Sequence, residues 1–170
     1  MELQDYYWRE NTGMSAEQFA AFRDRLQVVL LSWDRTPYAA RKQVKGMGVD
    51  CVRFVCAVLD EVRGISGRKI ETLPNDAAMH TPSGAMSVMR AIRRLYMPNE
   101  SVLDGSLEPA DVIVSGPIAG GPGHAMIVGA EPNVLWHSTA DRVQRTGLGY
   151  LRSRASKIFR VYRGLDKDLW

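Results

Sequence analysis

Between Ser15 and Trp33 the apolar residues Phe19, Phe22, Leu26, Val29, Leu30 and Trp33 recur every three or four positions, the period of one helix face. Ser15 followed by Gln18 forms a capping box, so the pattern predicts a helix that starts there and buries that stripe. From Asp34 to Gly48 the period is lost: Pro37, Gly46 and Gly48 interrupt it, Lys42 and Lys45 are polar, and a loop is expected, with Tyr38 placed to overhang whatever follows. A second helical period then runs from Asp50 to about Arg63. Phe54, Val55, Val58, Leu59 and Val62 make its stripe, Asp50 is a good N-cap and Gly64 a good terminator. Residues 65 to 105 hold Pro74, Pro82 and Pro98 around a helical segment, Gly84 to Tyr96, whose Met86, Met89, Ile92, Leu95 and Tyr96 alternate with Arg90, Arg93 and Arg94; this reads as a helical insertion.

The last third changes period. Asp111–Ser115, His124–Gly129, Val134–Ser138, Arg142–Thr146 and Lys157–Tyr162 are short runs rich in Val, Ile and aromatics, separated by Gly, Pro and Asn, as in an antiparallel sheet of about five strands. Leu148 to Ala155 reads as a short helix. Helices first and strands after them predict an α+β fold in which the second helix packs across the sheet.

Parity within this sheet can be tested against chemistry. If Ala130 to Asn133 is a four-residue hairpin loop, Gly129 faces Val134, and His124 falls diagonally beside His137 on one face, about 7–8 Å apart in the backbone. A three- or five-residue loop would put the two imidazoles on opposite faces. The second helix meanwhile begins with a cysteine, Cys51, where unpaired N–H groups and the helix dipole favour a thiolate. On the helix alone, Cys51 is equally well a small buried hydrophobe. A histidine able to act as base and a second one able to orient it turn the balance toward a Cys–His–His nucleophile set, Cys51, His124 and His137.

Composition narrows the alternatives. At 170 residues, 45% hydrophobic and 24% charged, the chain suits one soluble domain spanning 1–170. No run approaches the roughly 20 apolar residues of a membrane span. Glu2, Asp5, Arg9 and Glu10 leave no apolar core for a signal peptide, so synthesis in the cytoplasm is expected. The net charge of +3 is concentrated late, at Arg142, Arg145, Arg152, Arg154, Lys157, Arg160 and Arg163, without interleaved aromatics; solvated faces rather than nucleic-acid binding are expected. Cys51 and Cys56 point roughly 140° apart on one helix, poor geometry for a disulfide. Cys56 and His80 have no activating neighbours, the loop Gly116–Gly123 lacks a phosphate-loop ending, and no Cys/His pairing has zinc spacing, so neither a metal nor a cofactor is expected.

Taken in order, Thr36–Tyr38, the Gly-Val-Asp-Cys of Gly48–Cys51, Glu108–Val114, His124–Val128 and Leu135–Ser138 resemble the blocks of the NlpC-type cell-wall peptidases, from about Trp33 to Arg163, and look most like phage-tail and prophage members. The resemblance implies a papain-like α+β fold and hydrolysis of amide bonds in peptidoglycan stem peptides, with phage-tail or injection-apparatus proteins as possible partners. It implies Cys51 as nucleophile, His124 as base and His137 as its orienter, with Tyr38, Asp50, Val52 and Arg53 at substrate-binding positions. The family usually continues Asp-Cys with Ser-Gly; Val52 and Arg53 stand there in this chain, so the bond cleaved is left open while the reaction class is kept. Two further readings share these residues: a silent structural adaptor of a phage tail, and a hydrolase or acyltransferase with a substrate other than peptidoglycan.

Overall fold

The computed structural model describes residues 14–65, 100–101, 107–115, 124–152 and 159–162. The expected helix over Gly84–Tyr96, His80, the loop Gly116–Gly123 and the first residues of the chain lie outside them. Helix α1 is Ala16–Trp33, and its capping box forms: the Ser15 hydroxyl accepts the Gln18 N–H, and the Gln18 side chain accepts the Ser15 N–H. All six residues of the expected stripe are buried. Where a plain loop was expected, the chain makes a small two-stranded sheet, β1 Gln43–Val44 with β2 Gly48–Val49, turned by Gly46 at φ +74°. Lys45 in this turn binds Ser32 Oγ at 2.7 Å and Glu61 Oε2 at 2.6 Å, with its ammonium over the Trp33 ring, which ties the turn to both helices.

Helix α2 is Cys51–Val62. It is buried all round rather than along one stripe, with Arg53, Cys56 and Asp60 inside as well as the apolar residues. Two neighbours cause this: α1 covers one side, with Trp33 edge-on to Phe54 at 6.1 Å, and the sheet covers the other. Gly64, at φ +74°, closes the helix as the sequence requires.

The main sheet is antiparallel with strand order β3-β8-β4-β5-β6-β7, where β3 is Glu100–Ser101, β4 Val112–Ser115, β5 His124–Val128, β6 Val134–Ser138, β7 Val143–Gly147 and β8 Phe159–Tyr162. The five expected strands are present, with β3 added as a two-residue edge. A short helix α3, Gly149–Arg152, follows β7. Val112, Val114, Ala125, Ile127 and Trp136 face the helices in the main core. Ile113, Met126, Val128 and Leu135 form a second cluster on the opposite face, covered by Leu107, Leu148 and Tyr150. The β5–β6 connection has the four-residue length: Gly129 N–H donates to Val134 at 2.8 Å, and Ile127 pairs Trp136.

Gly48, the first residue of the Gly-Val-Asp-Cys stretch, has a spatial reason. A Cβ there would lie 2.5 Å from Ala39 Cβ, closer than carbon atoms approach. Gly48→Ala is expected to lower stability by about 1–3 kcal/mol, and Ala39→Gly in the same chain is expected to recover part of that loss, the part due to the clash. Urea midpoints of the two single variants and the double variant measure this coupling; additive effects would contradict the close approach.

Candidate active site

Asp50 ends the extended approach to α2 at φ −91°, ψ 170°, and its carboxylate takes three donors: the Arg53 N–H at 2.8 Å, the Arg41 N–H at 3.0 Å and the Arg53 guanidinium at 2.6 Å. The cap therefore anchors both the start of the helix and the preceding loop. It also places Cys51 at the first helical position, 5% exposed.

The thiol meets the sheet at a gap in its ladder. In an antiparallel pair, alternate residues direct their N–H groups to one neighbour. Gly129 donates to β6 while Val128 donates to Asp111 beside β4, so Ala125, by the same alternation, points its N–H toward β6. The β5–β6 pairing stops at Ile127 and Trp136, and Ser138, further along β6, gives its hydroxyl to the Val49 carbonyl at 3.0 Å instead. The Ala125 N–H is thus released from the ladder and reaches the Cys51 sulfur. Ala125 follows His124 directly, which brings the nucleophile candidate to the head of the histidine strand.

His124 and His137 lie on the sheet face away from the helices, in the parity of Met126 and Leu135. His124 Nε2 is 2.8 Å from His137 Nδ1, the contact that the hairpin length implies. His124 is partly exposed, whereas His137 is 1% exposed and carries the Tyr150 ring against it at 4.9 Å and 63°. One of the two facing nitrogens must donate. If His124 Nε2 carries the hydrogen, His137 Nδ1 accepts and its own proton sits on Nε2.

One expectation is reversed. The helix start was expected to favour the thiolate, and the N–H groups of Ala125, Cys51 and Val52 do pull the thiol pKa down. Burial outweighs them, the Asp50 carboxylate adds to it, and the thiol is pushed up to about 12. The resting sulfur is protonated, so any attack by it requires a base to take the proton as the new bond forms.

The remaining expected positions are placed as follows. Tyr38 is half-buried, its N–H bound to Asp141 and its backbone bridged to Val49, two residues before Cys51. Asp50 and Arg53 are buried against each other. Val52 is fully buried in the main core, so its side chain packs there instead of lining a surface that a substrate could touch. Sequence reasoning missed the Ala125 N–H, because a main-chain donor is set by strand register rather than by residue type. Tyr150 and the Asp50–Arg53 pair were also missed; an acid and a base three apart at a helix start was a readable signal for the pair.

A cysteine-headed helix across an antiparallel sheet that carries two facing histidines defines an α+β fold of the papain-like type. The sequence matches no family model and no curated protein. The fold, however, matches 15 solved chains. One is the NlpC/p60 domain of the peptidoglycan hydrolase SagA, 15% identical, over 82% of this chain and 97% of that one, with a TM-score of 0.50. Another is a Staphylococcus aureus protein described as similar to lipoprotein, of the NLP/P60 family. It is 16% identical, over 88% of this chain and 42% of that one, with a TM-score of 0.55. The chain has the NlpC/P60 fold. Neither description mentions a phage, and no helix among the described residues is long and apolar enough to cross a membrane.

The raised thiol pKa makes an alkaline signature. Folding favours the protonated Cys51, so its contribution is complete below the unfolded thiol pKa of about 8.5 and is lost as pH rises toward the folded value. Between about pH 9 and 11 the stability of the parent protein is expected to fall more steeply than that of Cys51→Ala, by at most about 1.4 kcal/mol per pH unit. Urea titrations of both proteins across that range test it; parallel curves would contradict the burial effect.

Proposed function

We propose that the chain is a cysteine-dependent amide hydrolase that cleaves peptidoglycan stem peptides. The observation that carries the reading is the contact of 2.8 Å between His124 and His137 at the head of the strand whose next N–H meets the Cys51 sulfur. The NlpC/P60 fold supports the substrate class, since one solved neighbour is described as a peptidoglycan hydrolase.

The chemistry runs as follows. With His124 Nε2 turned to His137, proton exchange with the thiol runs through Nδ1. His124 takes the Cys51 proton while the sulfur attacks the amide carbon, and the imidazolium is held by its Nε2–H donating to His137 Nδ1. Main-chain N–H groups at the helix head stabilise the oxyanion. Collapse breaks the C–N bond, His124 protonates the departing amine, and a thioester remains on Cys51. Water then gives one proton to His124 as its oxygen attacks the thioester carbon; the S–C bond breaks, the carboxylic acid is released and ionises to solvent, and His124 returns its proton to sulfur. In this reading the half-buried Tyr38 borders the place where the stem peptide lies, and the buried Asp50 and Arg53 act behind it on the helix head.

A second reading, a silent adaptor that keeps the fold, draws on the burial that holds the thiol protonated. Purified sacculi separate the two. The intact protein is expected to release soluble muropeptides that mass spectrometry identifies by the bond broken, and Cys51→Ala is expected to release none. His124→Ala is expected to lose at least about 10²-fold in rate. His137→Gln, whose amide oxygen still accepts, is expected to lose less than His137→Ala. Equal release by the intact protein and Cys51→Ala would overturn the hydrolase reading.

A further inference from the structure

Arg53 breaks two local rules at once. It puts a cation in the first turn of α2, at the positive end of the helix dipole, and it buries that cation to 6% exposure. The guanidinium lies 2.6 Å from the Asp50 carboxylate, itself fully buried. The pair stands on either side of Cys51 in the chain. Asp50 cannot be spared, because its other two contacts cap α2 and hold the Arg41 N–H of the preceding loop. It is nevertheless a negative charge beside the sulfur on which negative charge must form.

We propose that Arg53 is an electrostatic positioning residue for the Cys51 site: its guanidinium offsets part of the Asp50 charge, so that the cap can stay at a smaller cost to an anionic sulfur. Among the described residues, Asp50 is the charged side chain that acts on the thiol, and Arg53 pairs with it. His124 of β5 immediately precedes Ala125, whose N–H meets the sulfur, and is in contact with His137 of β6. The segment before α2 contributes Arg41, whose main chain touches Asp50 and whose side chain is exposed. Asp60 and Glu61 are near the far end of α2, about 13 Å along its axis. Asp111 pairs with the opposite end of β5, about 13 Å from His124.

A buried ion pair is often structural, and the sign of the effect distinguishes the two roles. Arg53→Met leaves Asp50 charged beside the sulfur, whereas Asp50→Asn leaves Arg53 charged and keeps a good helix cap. Both variants break the same pair. If the pair only holds the backbone, both should change thiol reactivity in the same direction. If charge is what matters, the directions are opposite.

The experiment is the rate of iodoacetamide labelling of Cys51 in the full chain, followed by peptide mass from pH 7 to 10, with circular dichroism of each variant. Its readout needs no substrate, so it fails or succeeds independently of the hydrolase reading. At a fixed pH, Arg53→Met is expected to label about tenfold more slowly and Asp50→Asn about tenfold faster, an effect of about one pH unit each. Arg53→Lys is expected to restore the parent rate, and Asp50→Asn with Arg53→Met to fall between the single variants. Shifts of the same sign in both single variants, or no shift in either, would overturn the proposal. Should Arg53→Met not fold, the Asp50→Asn and Arg53→Lys rates decide alone: labelling by Asp50→Asn no faster than parent would overturn it.

Discussion

The all-round burial of the helix Cys51–Val62 is the constraint on which the site depends. A helix with water on one side can rock about its stripe; one enclosed by α1 on one side and the sheet on the other cannot, since protein interiors pack near crystal density. Its first residue is then held at a fixed height over β5 and β6. Asp50 transmits that rigidity outward, because one carboxylate caps the helix, holds the incoming loop through Arg41 and pairs with Arg53. The Lys45 bonds to Ser32 and Glu61 secure the same loop from its other end.

That enclosure has an electrostatic consequence. The same burial that positions the sulfur removes the water that would solvate a thiolate, and this outweighs the dipole and the three N–H groups aimed at it. Attack by a sulfur buried in this way requires proton transfer as the new bond forms. It therefore depends on a base within reach and on that base being oriented. At the early end of the β5–β6 ladder the Ala125 N–H turns to the sulfur and Ser138 turns to Val49, while His124 and His137 meet on the other face of the sheet.

Local rules were legible wherever one residue type or period decides the outcome. The helix at Ser15 followed from a capping box and a stripe of six residues, and it forms as the pattern requires. The hairpin length between Gly129 and Val134 decided the parity of the histidines, because the side-chain period of a strand is two and admits only two answers. The small sheet of Gln43–Val44 and Gly48–Val49 was not legible: with two residues per strand, pairing is stabilised by contacts to α1 and α2 rather than by any pattern of its own.

The sequence by itself determined an α+β chain with a cysteine at a helix head and two histidines on one sheet face, since those depend on periods, caps and turn length. Tertiary structure alone decided that Val52 faces the core, that Arg53 folds back on Asp50, that Tyr150 lies against His137, and that the thiol rests protonated. Each of these depends on what surrounds a side chain on all sides. Burial and dielectric are properties of the assembled core, and no stretch of sequence carries them.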